Sequence, residues 1–202
     1  MANREKQDVL SLIAEQQSIS RDTLAEFGSL DNGQLNWKPS PDVWSIGQVF
    51  DHLISSSSPF FVQFDRILAN ENVATVWQKM PVLPNFFGRF LISAVDPQTV
   101  RKVKAPGVFK PSTSDIEPDI VAKFVQAQDR LLVTMNSMKD LPIDAIRVTS
   151  PIARFVTYSV LDAFTIFAFH NRRHFNQAKR VKGNADFPNI ADSIRARAAN
   201  SI

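Results

Sequence analysis

The sequence contains no cysteine. That absence removes thiolate nucleophiles, disulfide staples and cysteine-ligated metal sites together, and it fits a reducing compartment. Long hydrophobic runs are missing too. The most apolar stretch, 86–95, is interrupted by Arg89, whereas a membrane-spanning helix needs about 20 apolar residues. The opening Met-Ala-Asn-Arg-Glu-Lys-Gln-Asp is charged, with no apolar segment of signal-peptide length behind it. The expectation is a cytoplasmic protein with no membrane partner. An excess of one charge is also lacking: 23 basic residues face 20 acidic ones, a net charge of +3. Spread over the chain this makes a weak field. Lys179, Arg180, Lys182, Arg195 and Arg197 read as a solvated helix end, where cations complement the helix dipole. No helix-turn-helix or comparable motif accompanies them, so a nucleic-acid partner is not expected.

What the chain does have is enough apolar material for one core: 44% of its 202 residues are hydrophobic. The reading is a single domain over residues 1–202, with a core of about 4–183 and a C-terminal extension, 184–202. Four long segments show helical periodicity. The first runs from about Arg4 to Phe27 and ends at Gly28. The second begins near Ser45, where Ser45 and Gln48 have the spacing of a capping box. It continues through Phe60, Phe64 and Leu68, with Pro59 expected to kink or break it. The third is predicted over Ser114 to Met138, and the fourth over Ser159 to Val181, stopping at Gly183. Between the second and third, residues 71–112 are punctuated by prolines. They read as a long crossover with one short helix around Asn85 to Val95, a connection that lets two neighbouring helices run parallel. Arg147–Thr149 and Arg154–Val156 are predicted as short extended segments, and Ile190–Ala199 as a short final helix.

Three histidines are present in all. His170 and His174, four apart on the fourth helix, lie within about 40° of one another around the axis and share a face. One helix presents two imidazoles to one metal ion with this spacing. Gln177 follows one turn on, placed to hydrogen-bond a ring nitrogen or a water. His52 sits on the edge of the second helix's apolar face. A bundle that packs that face on the fourth helix would bring three imidazoles together. Coordination positions would then stay open, as in catalytic rather than structural zinc sites. The alternative on spacing alone is a surface pair of histidines among Arg172 and Arg173. Asp51 is read as solvated or as orienting a ligand.

Two segments resemble the DinB/YfiT-like superfamily. One is Trp37 to Leu53, centred on Trp44-Ser45-Ile46-Gly47-Gln48-Val49-Phe50-Asp51-His52-Leu53. The other is His170-Asn171-Arg172-Arg173-His174-Phe175-Asn176-Gln177. The resemblance implies an all-α, four-helix bundle of up-down-down-up topology, with the long crossover between its second and third helices. It also implies a divalent-metal site built from His52, His170 and His174. Three imidazoles suit zinc, nickel, iron or copper, with zinc or nickel expected. Gln48, Asp51 and Gln177 are the expected supporting residues. The implied activity is metal-dependent, on a small-molecule substrate: transfer of a low-molecular-weight thiol to an electrophile, or hydrolysis. The metal would hold the thiol as its nucleophilic thiolate, or lower the pKa of a water toward about 7. Arg172 or Arg173 would attract a carboxylate on the thiol cosubstrate, or else form part of a solvated face. Arg173 stands where one common form of the family has a second, adjacent histidine. The alternative function is a non-enzymatic dimeric helical-bundle protein of stress response or binding.

A homodimer is expected on two grounds. Dimers are frequent among the proteins the chain resembles. The fourth helix also carries Phe164, Phe167, Phe169 and Phe175, which cannot share one face at 100° per residue. Phe169 points away from Phe167, and that side must be covered by the crossover, the C-terminal segment or a second subunit.

Overall fold

The computed structural model describes residues 8–80, 83–98, 111 and 115–189. Within them the protein is mostly helical. Helix α1, Val9–Phe27, opens at Asp8, whose carboxylate accepts the Ser11 N–H. Its expected first residues, and the predicted helix Ile190–Ala199, lie outside the described residues. Gly28 closes α1 by donating its N–H to the Leu24 carbonyl, in ordinary right-handed geometry. The connection behind it contains a short helix the periodicity did not suggest, α2, Asn32–Asn36. A reciprocal capping box starts it: Gln34 N–H donates to the Asp31 carboxylate, and Asp31 N–H donates back to the Gln34 side-chain oxygen.

Helix α3, Ile46–Leu68, begins with the Ser45–Gln48 capping box read from the sequence. It runs on through Pro59 as one helix, so of the kink or break expected there the break does not occur. The hydroxyls of Ser55 to Ser58 bond back to carbonyls of the preceding turn. A 3-10 turn at Trp77–Lys79 and helix α4, Leu83–Val95, follow; α4 is the short crossover helix expected near Asn85. Helix α5 is Ile120–Met138 and starts later than Ser114. Pro118 disfavours helical geometry at Glu117, which postpones the start. Strand β1, Arg147–Thr149, pairs antiparallel with β2, Thr157–Ser159, with Val148 opposite Tyr158. The second strand therefore lies beyond the predicted Arg154–Val156, because a turn takes Arg154 and Phe155. Helix α6, Val160–Lys182, opens with a Ser159–Asp162 capping box and ends at Gly183.

Ion pairs and ring contacts set the helix directions. Arg172 reaches Glu15 and Asp22 while Lys182 reaches Glu26, so α1 and α6 run the same way. Phe64 meets Phe164 and Phe60 meets Phe167, so α3 opposes α6. Phe50 meets Phe124, and Arg130 lies over Phe61, so α3 and α5 run together. Helix α5 also packs on α1. Two apolar clusters fill the interior. One gathers Phe60, Phe64, Phe164, Phe167 and Tyr158; the other gathers Phe27, Phe50, Phe124 and Phe175. Between them along α6 lies a polar layer, in which the buried Asn171 amide donates to the side-chain oxygens of Gln16 and Gln128.

Helix α4 lies along α6, clamped at two points. Near its middle Gly88 touches Asp162 so closely that a Cβ there would stand 2.5 Å from the carboxylate oxygen. At its end the Arg173 guanidinium donates to the Ala94 and Asp96 carbonyls. Phe87 and Leu91 of α4, with Ile166 and Phe169 of α6, join the first apolar cluster. The spare aromatic side of the fourth helix is thus covered within the chain, by the crossover.

Candidate metal centre

Each histidine is placed by a helix whose local sequence fixes its start. The Ser45–Gln48 box sets the register of α3 and puts His52 on its buried side, 3% exposed. The Ser159–Asp162 box does the same for α6, where Phe164, Phe167, Phe175 and Ala178 form the buried stripe beside His170 and His174. Because α3 and α6 run in opposite directions, His52 in the first turns of α3 comes opposite the later turns of α6 that carry His170 and His174. The three rings meet there, with centroids 5.0, 4.8 and 4.6 Å apart.

One ligand nitrogen from each ring lies within 4.8 Å of the others, so the group could hold a metal ion. His52 Nε2 and His170 Nε2 are 3.1 Å apart. Two nitrogens bound at about 2.0–2.1 Å to a tetrahedral ion stand about 3.3 Å apart, so this edge already has the length an ion requires. Which of the two nitrogens carries a proton depends on the ring tautomers. An ion would displace that proton and take both lone pairs.

His174 Nδ1 faces the Gln177 side-chain oxygen at 2.9 Å. An amide oxygen only accepts, so Nδ1 carries the proton and Nε2 keeps its lone pair for a ligand role. Trp44 walls the group: its indole stacks on His174 at 5.9 Å with 14° between planes, and lies tilted on His52 at 5.0 Å. Burial pushes His170 well below the ordinary imidazole range, with His174, His52 and Arg173 adding to the effect. Burial also pushes His174 down to about 3, aided by His52 and Arg173 and opposed by the bond to Gln177. Neutral rings at neutral pH are the form that binds metal.

The other residues singled out from the sequence fall in different places. Gln48 accepts the Ser45 N–H as part of the helix cap. Asp51 lines a cleft against the start of α5, with Ile54 and Phe61. Arg172 turns to α1, where it binds Glu15, Asp22 and Ser18. Arg173 acts electrostatically on His170 and His174 while anchoring the end of α4. Spacing did not assign roles to Trp44 or Asn171. Asn171 had a legible signal, a lone polar residue within the Phe164–Phe167–Phe175 stripe.

Fold and site together define a mostly helical protein with a three-imidazole group suited to one metal ion. The chain belongs to the DinB superfamily, whose family model matches residues 17–178 and so takes in all three histidines. No curated protein and no solved structure gives a significant match.

Proposed function

We propose that the protein is a metal-dependent enzyme, a thiol transferase or hydrolase, acting at His52, His170 and His174. The observation that carries this reading is that, among the described residues, the ligand group able to share one ion consists of His52, His170 and His174. Four ligands would close a structural site; three leave room for water or substrate. A divalent ion held there, zinc or nickel, supplies Lewis acidity toward a substrate thiol or water. The protein's own share is positional. Gln177 fixes the His174 tautomer, Trp44 restricts the two rings it covers, and burial keeps His170 and His174 unprotonated. Arg173, close enough to act on both α6 histidines, is the better placed of the two arginines to attract an anionic cosubstrate. Arg172 already neutralises acids of α1.

The proposal extends to the architecture: α1, α3, α5 and α6 form an up-down-down-up four-helix bundle. The pairwise directions described above support this order. A homodimer stays part of the proposal, but through a face other than the Phe169 side of α6, which α4 occupies. A solution mass near 23 kDa that does not change with concentration would remove the dimer.

The functional test is a paired assay on protein purified without a nickel column. Metal content is measured first, then thiol transfer to a small electrophile and hydrolysis of activated esters, with and without chelator. The reading predicts one of the two activities, lost with the metal and in His174→Ala. Metal-loaded protein inactive in both assays would count against it.

A further inference from the structure

Covering α6 leaves α4 with an outer face of its own. Phe86 and Phe90, one turn apart, stack at 6.4 Å and are about 60% exposed. Their contacts continue across the surface. Phe86 meets Phe87, Phe87 meets Phe155, and Phe155 meets Trp77, with centroids 5.4, 6.0 and 6.5 Å apart. Phe155 and Trp77 are exposed as well, and so are Val76, Met80 and Ile152. The result is one continuous aromatic and aliphatic surface spanning α4, the 3-10 turn and the loop before β2. Exposed apolar patches of this kind mark sites of association.

The charges around it indicate the occupant. Residues 72–80, 84–98 and 145–161 supply this surface. Their basic residues are Lys79, Arg89, Arg147 and Arg154, and their single acidic residue is Asp96, which is buried; the exposed Glu71 and Asp144 stand just outside these segments in the chain. Lys79, Arg89 and Arg154 are exposed and stand within two residues of Trp77, Phe90 and Phe155 in the chain. A twofold contact between two copies would set this patch against itself. The same cations would then face one another with no exposed carboxylate from these segments to answer them, and like charges across an interface disfavour it. A surface that accepts aromatic side chains at its boundary and carries diffuse negative charge satisfies both features. Aromatic residues flanked by lysine and arginine are the composition of interfacial membrane attachment.

We propose that the α4 face, with Phe86, Phe90, Trp77 and Phe155 inserted and Lys79, Arg89 and Arg154 at the rim, docks on the surface of an anionic lipid bilayer. This is attachment without spanning. No helix among the described residues is long and apolar enough to cross a membrane. The absence of a membrane partner expected from the sequence rested on the lack of a spanning run and of a signal-peptide segment, neither of which bears on surface attachment. The inference does not depend on the metal site, since none of these residues belongs to it.

Flotation of the full-length protein with vesicles tests it. One set is phosphatidylcholine alone; the other is an equimolar mixture of phosphatidylcholine and phosphatidylglycerol. The expected result is partition to the mixed vesicles at least tenfold above the neutral ones, weakened by added salt. Arg89→Glu should lower that partition about fivefold or more, since each cation near an anionic surface contributes about that factor. Phe86→Ser with Phe90→Ser should lower it about tenfold. Helix content and metal binding should be unchanged in these variants, because the replaced side chains are exposed. Equal partition to both vesicle types, no partition at all, or variants that bind like the parent would overturn the proposal. A solution mass that falls from dimer to monomer in Phe86→Ser with Phe90→Ser would overturn it too, by assigning the face to a second copy.

Discussion

Gln177 holds His174 through a single hydrogen bond, 2.9 Å from its side-chain oxygen to Nδ1, and that bond decides which nitrogen of the ring is left for a metal. Residues that orient a ligating histidine typically change metal affinity 10–100-fold when replaced. Gln177→Leu should weaken metal binding by about that factor, with the fold intact. Titration with a competing chelator measures it. An affinity equal to that of the parent would show that the bond does not orient the ligand.

Acid should destabilise the metal-free protein. His170 and His174 are both held below their ordinary imidazole values, His174 to about 3. Below about pH 6.5 the unfolded chain takes up protons at these residues that the folded chain refuses. The unfolded state then binds more protons, so stability falls as pH falls, by up to about 1.4 kcal/mol per pH unit for each group. For His174 the loss ends near its folded value of about 3. Urea midpoints of the apo protein between pH 7 and 5 follow the effect. A flat profile in that range would contradict the burial assigned to these rings.

Gly88 is required by contact, since a Cβ would meet the Asp162 carboxylate at 2.5 Å. Gly88→Ala should push α4 away from the start of α6 and cost about 1–3 kcal/mol of stability, as overpacking does. Denaturant midpoints provide the value. Parental stability in this variant would mean that α4 is not clamped there.

Phe64 is fully buried and touches Phe60, Phe61, Phe164 and Phe167. Phe64→Ala should cost about 3–5 kcal/mol. The metal group lies in a different layer, so any folded variant protein should keep its three-histidine affinity. A metal affinity that collapses in folded protein would show the two layers to be coupled.

Local chemistry was the legible part of the fold. The Ser45–Gln48 cap, the start of α6 at Ser159 and the His170–His174 spacing each involve neighbours within one turn, and each stands where the sequence placed it. Asp31 and Gln34 carry the same capping pattern, yet the surrounding turn residues concealed a helix of five residues. The late start of α5 came from one proline, and the displaced β2 from a turn at Arg154–Phe155 whose length the pattern does not encode. Contacts between distant segments were the illegible part. That His52 meets the α6 pair depends on the opposed directions of α3 and α6, which spacing within either helix cannot state. The resemblance supplied that pairing. Nothing local foretold that Arg173 would fasten the end of α4, because its partners are backbone carbonyls seventy-odd residues away in the chain.

The central claim is that His52, His170 and His174 act as one metal site, and metal stoichiometry measures it most directly. Protein purified without immobilised metal is stripped with chelator, then titrated with zinc or nickel while bound metal and melting temperature are followed together. The account predicts one ion per chain and a rise in melting temperature, because an ion that binds only the folded state stabilises it. Both should be lost in His52→Ala and in His174→Ala. One ion per chain bound equally well by the parent and by His52→Ala would contradict it, since the residue from α3 would then stand outside the site.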